Sequence, residues 1–304
     1  MKNSVRSIIA VASALAIGSA PVRLDSAAFQ AEQIPADVVW YAHLDVERTL
    51  ASTFGRLATE RLSEQERTKI RIFSRMFGFS LLDGLRAVTV FGMPGHPDGG
   101  VLILKGKFDR DYLVDLVSVN DNYALFEHGS TTVHYWIDEE KGKDSFGAFA
   151  NDDTLLLTDS KALIKSALDA IHGRQPGLKA RPIGEVAGAI SDAALIIGVA
   201  DFGRMEGLET EAAILKEIES GQLAAAELDA NFRVLMSLVA VEEGNALNIQ
   251  RVADGILAFA ALNPEKPGLG RLASAVSIER TGRRVDGIFS FPVDELVDIL
   301  QSLR

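Results

Sequence analysis

Residues 85–117, LRAVTVFGMPGHPDGGVLILKGKFDRDYLVDLV, constrain the fold more than any other stretch of the chain. Two apolar runs, 86–91 and 101–107, read as strands. Between them Pro94, Gly95, Pro97, Asp98, Gly99 and Gly100 supply the fixed and positive φ values that a reversal needs. Asp109 then caps a helix with Leu113, Leu116 and Val117 on one face. In the first strand Val88 and Val90 fall on one side, Ala87 and Phe91 on the other. Strands apolar on both sides belong inside a sheet rather than at its edge. The stretch is scaffold and carries no chemistry.

The elements around this hairpin predict an α+β fold. A strand over 38–44 ends at Asp45, and helices follow over 46–61 and 64–77, the second opened by a Ser63/Glu66 capping box and closed by Gly78. Short strands at 123–127, 131–138, 145–150 and 154–158, separated by turn residues, give an antiparallel meander, and Ser160 caps a helix beyond it. Residues 173–182 form the best linker. A second series follows: a strand over 193–200 ending at Asp201, a helical stretch over 204–228 broken near Gly221, a strand over 232–241, a helix over 245–262, a hairpin turning at Thr281-Gly282, and a final helix opened by Pro292. Each series begins with a strand ending in a single Asp. The expectation is two related halves, 29–175 and 176–304, each a mainly antiparallel sheet with helices packed on one face.

Lys2 and Arg6 precede an apolar run over 8–17 that ends in small residues, the pattern of a secretory signal, with Ser26-Ala27-Ala28 as the best cleavage site. That run is shorter than the ~20 residues a bilayer-spanning helix needs. Residues 1–28 are therefore expected to be a cleaved leader and the remainder a soluble periplasmic or secreted protein with no membrane span. The chain has no cysteine, which excludes disulfides, thiol catalysis and cysteine-ligated zinc. Its 31 basic against 42 acidic residues leave a formal charge of -11 with no basic cluster, which argues against nucleic acid as a partner.

Ile34-Pro35-Ala36-Asp37, the strand at 81–92 with its DxLRxVTxFG-like pattern, the LxLxGxF-like strand at 101–109 and the closing hairpin running into FPVDEL resemble a family of exported bacterial proteins of unknown function. The resemblance implies a signal peptide and this order of elements, and transfers no activity, cofactor or catalytic residue.

Few residues suggest chemistry. His43 and Asp45 alternate on one strand and so face the same way, which makes them a candidate pair of metal ligands, two short of a tetrahedral set. His134 and Asp138 end another strand; His96 and His128 sit in turns; His172 sits at a helix C-terminus, where a cation suits the dipole. Glu206, Glu209, Glu211, Glu217 and Glu219, and Asp138, Glu139 and Glu140, read as solvated acidic faces. No G-x-S-x-G nucleophile turn is present, and Gly95 to Gly100 lack the Lys-Ser/Thr of a phosphate loop. Trp40, Tyr41, Tyr135 and Trp136 read as core, as do the apolar helix faces at 249–260 and 293–303. No catalytic or cofactor-binding residue is assigned. The leading expectation is a non-catalytic binding or interaction protein with a protein or small-ligand partner in the cell envelope. The alternatives are a carboxylate- or metal-dependent hydrolase, or a carrier of an apolar ligand held between sheet and helices.

Overall fold

The structure, a computed structural model, describes residues 27–97, 99–138, 142–179, 193–205, 213–263 and 266–303. Most of the expected leader, and Glu139, Glu140, Glu206, Glu209 and Glu211, lie outside them. The chain divides into two compact units, Met1–Ala51 with Ala58–Ala180, and Ser52–Leu57 with Arg181–Arg304. Both are α+β.

The first unit runs β1 (Trp40–Asp45), α1 (Val46–Ala51), the end of α2 (Thr53–Glu60), α3 (Glu64–Phe77), β2 (Leu85–Gly92), β3 (Val101–Gly106), α4 (Arg110–Ser118), β4 (Ala124–His128), β5 (Thr131–Asp138), β6 (Lys143–Asn151), β7 (Thr154–Thr158) and α5 (Lys161–Ile171). Its strands lie in the order β1-β2-β3-β7-β6-β5-β4, every neighbouring pair antiparallel. Local chemistry sets the helix ends. The Ser63 Oγ accepts from Glu66 N while Glu66 Oε2 accepts from Ser63 N at 2.9 Å, and Gly78 stops α3 in the left-handed region at φ 65°. Asp109 and Ser160 cap α4 and α5 by accepting from Tyr112 N and Leu163 N.

The register turns the two-sided strands of the sequence into two cores. Leu44, Val88, Leu104, Leu155 and Phe149 follow one another across five strands on one face. His43, Thr89, Ile103, Leu156 and Ala148 do so on the other. On the first face the row packs with Phe73 and Phe77 of α3 and with Leu113 and Val114 of α4. On the second it meets α5, whose Leu163, Ile164, Ala167 and Leu168 are buried. This unit therefore carries helices on both faces of its sheet, which is what strands apolar on both sides require.

The second unit runs β8 (Ala194–Asp201), β9 (Ile218–Leu228), β10 (Asn231–Ala240), α6 (Glu243–Ala261), α7 (Pro267–Ser274), β11 (Val276–Thr281), β12 (Arg284–Pro292) and α8 (Val293–Ser302), in the strand order β8-β9-β10-β12-β11. Here the helices share one face: Leu238 and Val285 pack with Ala246 and Ile249 of α6, and Phe232, Phe289 and Phe291 with Leu296 and Ile299 of α8. Both units place three strands as a meander, cross through a helix, return a strand beside the third, and close with a helix. The start of α2 packs with this second unit. Glu227 of β9 accepts from Thr53 N at 3.1 Å and Phe54 N at 2.8 Å, and the Phe54 ring lies 4.8 Å from Phe232.

Two expectations are corrected. Residues 218–228, expected to be helical, form β9, because Ala224, Ala225 and Ala226 are buried between β8 and β10, where ladder pairing on both sides overrides their helix propensity. The long α6 is present, but its apolar stripe is core only at its start: Ile249 is buried, whereas Val252 and Ile256 are exposed, Ile256 by 64%. Gly255 on the same helix has ordinary helical φ and open space where a Cβ would go. Gly255→Ala is expected to raise the unfolding free energy by about 1 kcal/mol in a chemical-denaturation measurement, since it restores helix propensity without a clash.

Candidate functional site

His43 and Asp45 lie on β1 facing the same way, and both are buried, at 5% and 2% exposure. Their partners are structural. His43 Nδ1 pairs with Thr89 Oγ1 at 2.9 Å, and the Phe29 ring covers the imidazole at 5.4 Å while stacking on Tyr41. Asp45 Oδ1 accepts from Arg48 N at 2.8 Å, and Oδ2 lies 3.5 Å from Arg48 Nε, so the carboxylate caps α1. Burial is the main force on both groups. It lowers the His43 pKa to about 4, helped by Lys105 and Arg48 and opposed by the Ala27 backbone, and it pushes the Asp45 carboxyl up against the pull of Arg48. His43 Nε2 is buried without a hydrogen-bond partner of acceptable geometry among the described residues. No third ligating side chain joins the pair, and no group of three or more potential ligands occurs among the described residues.

His128 and His172 find partners that their sequence positions do not reveal. His128 Nε2 pairs with Asp169 Oδ1 at 2.9 Å, beside Arg174 Nε at 2.6 Å. Partial burial raises the Asp169 carboxyl, but those two hydrogen bonds leave it below the usual carboxylate range. His172 Nε2 meets Thr131 Oγ1 at 3.1 Å. Of the acidic candidates, Glu219 is held by Arg283 at 2.7 Å.

The feature that stands out chemically is in the first unit. Between the Leu44-Val88 face of the sheet and helices α3 and α4 lies a cavity of about 290 Å³. Phe73, Phe77, Leu113 and Val117 line it from the helices, and Val88, Leu102, Leu104, Leu155, Leu157 and Phe149 from the strands. Its size is near the lower end, ~300 Å³, of small-molecule sites. Gly147 contributes a position without a side chain, where a Cβ would come within 3.2 Å of Trp136 and 3.3 Å of Leu157. The roof is lightly held, since neither α3 nor α4 has a fully buried residue. Tyr112 ties the two helices together, its Oη donating to Arg75 O at 3.1 Å and its ring lying over Gly78.

His134 of β5 lies at one edge of this cavity, opposite Gly147 in the ladder, and His134 Nδ1 lies 2.8 Å from Tyr123 Oη. Burial chiefly, with Arg110 as the second influence, lowers the His134 pKa against the opposing charge of Glu127. Arg110 sits over the Phe149 ring at 4.7 Å and pairs with Asp152 at 3.1 Å.

The class these features define is an α+β protein with an apolar cavity between sheet and helices. No protein-family model matches the chain, and no curated protein does. Among solved structures it is similar to crystal form III of TP0453, with a TM-score of 0.48 at 10% identity over 91% of this chain and 99% of that one. Crystal forms I and IV of TP0453 give 0.47 and 0.48 at 11% and 10% identity, over 91% and 90% of this chain and 98% and 97% of those.

Proposed function

We propose that the protein is a non-catalytic carrier, exported to the cell envelope, that holds an apolar chain in the cavity between its first sheet and helices α3 and α4. The observation that carries this reading is the cavity itself: about 290 Å³ lined almost wholly by Phe, Leu, Val and Trp side chains. Apolar linings of this kind attract no water and favour hydrocarbon. The carrier alternative from the sequence thus becomes the leading reading, ahead of an undefined interaction partner. No helix among the described residues is long and apolar enough to cross a membrane.

Isothermal titration of the purified protein with decanoate tests the proposal. Leu102 lines the cavity and is only partly buried, so Leu102→Trp grows into free space. Wild-type protein is expected to bind with one site. The variant is expected to keep its melting temperature and lose at least about tenfold in affinity, or roughly 1.4 kcal/mol. Undiminished binding by a folded Leu102→Trp protein places the ligand elsewhere and removes the reading.

A further inference from the structure

We propose that the outer face of α3 and α4 is an interface at which two copies of this chain meet about a twofold axis, α3 of each lying against α4 of the other. Ile72 and Met76 on α3, Tyr112 and Leu116 on α4, and Val119 at the end of α4 are 39% to 81% exposed. Large apolar side chains exposed together in this way mark an interaction surface, whereas single ones are ordinary. They form one patch because Tyr112 joins the helices. Its Oη donates to Arg75 O at 3.1 Å and its ring lies over Gly78, so the last turn of α3 meets the first turn of α4.

Charge complementarity makes the occupant a second copy, since the two helices carry the same pattern with opposite sign. On α3, Arg71 and Arg75 stand immediately before Ile72 and Met76; on α4, Asp111 and Asp115 stand immediately before Tyr112 and Leu116. Each pair is spaced i, i+4, so on both helices the charges run along the same flank of the apolar ridge. All four are exposed, and among the described residues none forms an ion pair; Arg71 Nη2 donates to Thr68 Oγ1 at 3.2 Å. The opposing charges on these helices are otherwise engaged, Arg110 by Asp152 and Glu66 by the Ser63 cap. Laid antiparallel and face to face, two right-handed helices of this pattern bring their charged flanks to the same side, arginines against aspartates. A twofold axis through the Tyr112 junction makes that contact twice, and it closes the assembly at two copies. Burial of the ridges supplies the affinity, and the charge pairs supply register and choice of partner. The pairing does not depend on what fills the cavity.

Sedimentation velocity of the purified protein tests the interface. Wild-type protein is expected to show a reversible equilibrium between monomer and dimer, and Ile72→Glu to weaken it by at least about tenfold at an unchanged melting temperature. Two charge swaps make the test specific. Arg71→Glu/Arg75→Glu sets acid against acid at both contacts, and Asp111→Lys/Asp115→Lys sets base against base. Each variant alone is expected to be a folded monomer. Mixed in equal amounts they are expected to form a heterodimer, because every contact then pairs opposite charges; damage to the fold would not be repaired by mixing. Wild-type protein that stays monomeric at every concentration overturns the proposal and leaves the ridge to a different partner. A dimer indifferent to Ile72→Glu and to both swaps places the interface elsewhere and overturns it too. Swapped variants that dissociate but do not pair with each other overturn the contact of α3 with α4.

Discussion

Taking the protein from pH 7 to pH 4 is expected to lower its unfolding free energy by about 3 kcal/mol through His43 alone. The ring titrates at about 4 in the folded chain, against 6.5 when exposed. Between these values the unfolded chain takes up a proton that the folded chain refuses. The contribution of His43 is therefore whole above pH 6.5 and falls steadily to pH 4, at about 1.4 kcal/mol per unit. With the side chain 5% exposed, solvent screens little of this. His134 and His172, also lowered chiefly by burial, tilt stability the same way but are more exposed. Asp45, raised by burial, acts in the opposite sense at the acid end, because the folded chain holds its proton to higher pH than the unfolded one. The double variant His43→Leu/Thr89→Val isolates the effect, since it replaces a hydrogen-bonded pair by apolar groups of similar shape and leaves neither partner unmet. Urea unfolding at a series of pH values should show the slope between 6.5 and 4 flattened in the variant. An unchanged slope assigns the acid sensitivity elsewhere.

Gly106→Ala is expected to cost about 2 to 3 kcal/mol, for a reason unrelated to backbone freedom. A Cβ at this position would overlap Gly84 O and come within 3.1 Å of Leu85 Cα. These are backbone atoms fixed by their own bonds: Lys107 N donates to Gly84 O and Gly84 N to Ser80 O, both at 2.8 Å, and Gly106 N donates to Asp153 O at 2.8 Å. A flexible side chain can swing away, but a hydrogen-bonded turn must move as a whole, which puts the substitution at the upper end of overpacking penalties. Thermal unfolding compared with Gly255→Ala makes the test internal, since the same chemical change is expected to stabilise one site and destabilise the other. A neutral result at Gly106 means that the approach of β3 to residue 84 is looser than described.

Local signals carried much of the architecture. Ser63 with Glu66, Asp109 and Ser160 each combine a capping side chain with a following apolar period, and each marks a helix start. The hairpin of β2 and β3, and the pairing of β11 with β12, follow from turn residues between apolar runs. The failures are non-local. Residues 218–228 contain three consecutive alanines and helix-favouring Glu and Leu, and become a strand only because β8 and β10 flank them. The apolar stripe of α6 has the period of a buried face along its whole length, yet it is covered at Ile249 and exposed at Val252 and Ile256, and periodicity does not report where the cover ends. The cavity was illegible for a deeper reason: a void is made of atoms that are missing, and its lining comes from two helices and five strands. Gly147 in the middle of β6 was its one local sign, because a strand glycine marks a place that something approaches closely. Strand alternation puts His43 and Asp45 on one side of β1, as the structure does; what it does not foretell is that Thr89 and Arg48 occupy them.

The roof of the cavity has a kinetic consequence. Helices α3 and α4 have no fully buried side chain and are joined to each other by Tyr112. Segments with so little buried surface open far more often than the sheet beneath them. On the carrier reading proposed above, an apolar ligand would add to the contacts that Phe73, Phe77, Leu113 and Val114 make with the sheet, so that filling the cavity and ordering the roof would be one equilibrium. Residence time would then be set by how often two helices lift, not by how often the protein unfolds, and amide protons in α3 and α4 would record that frequency directly.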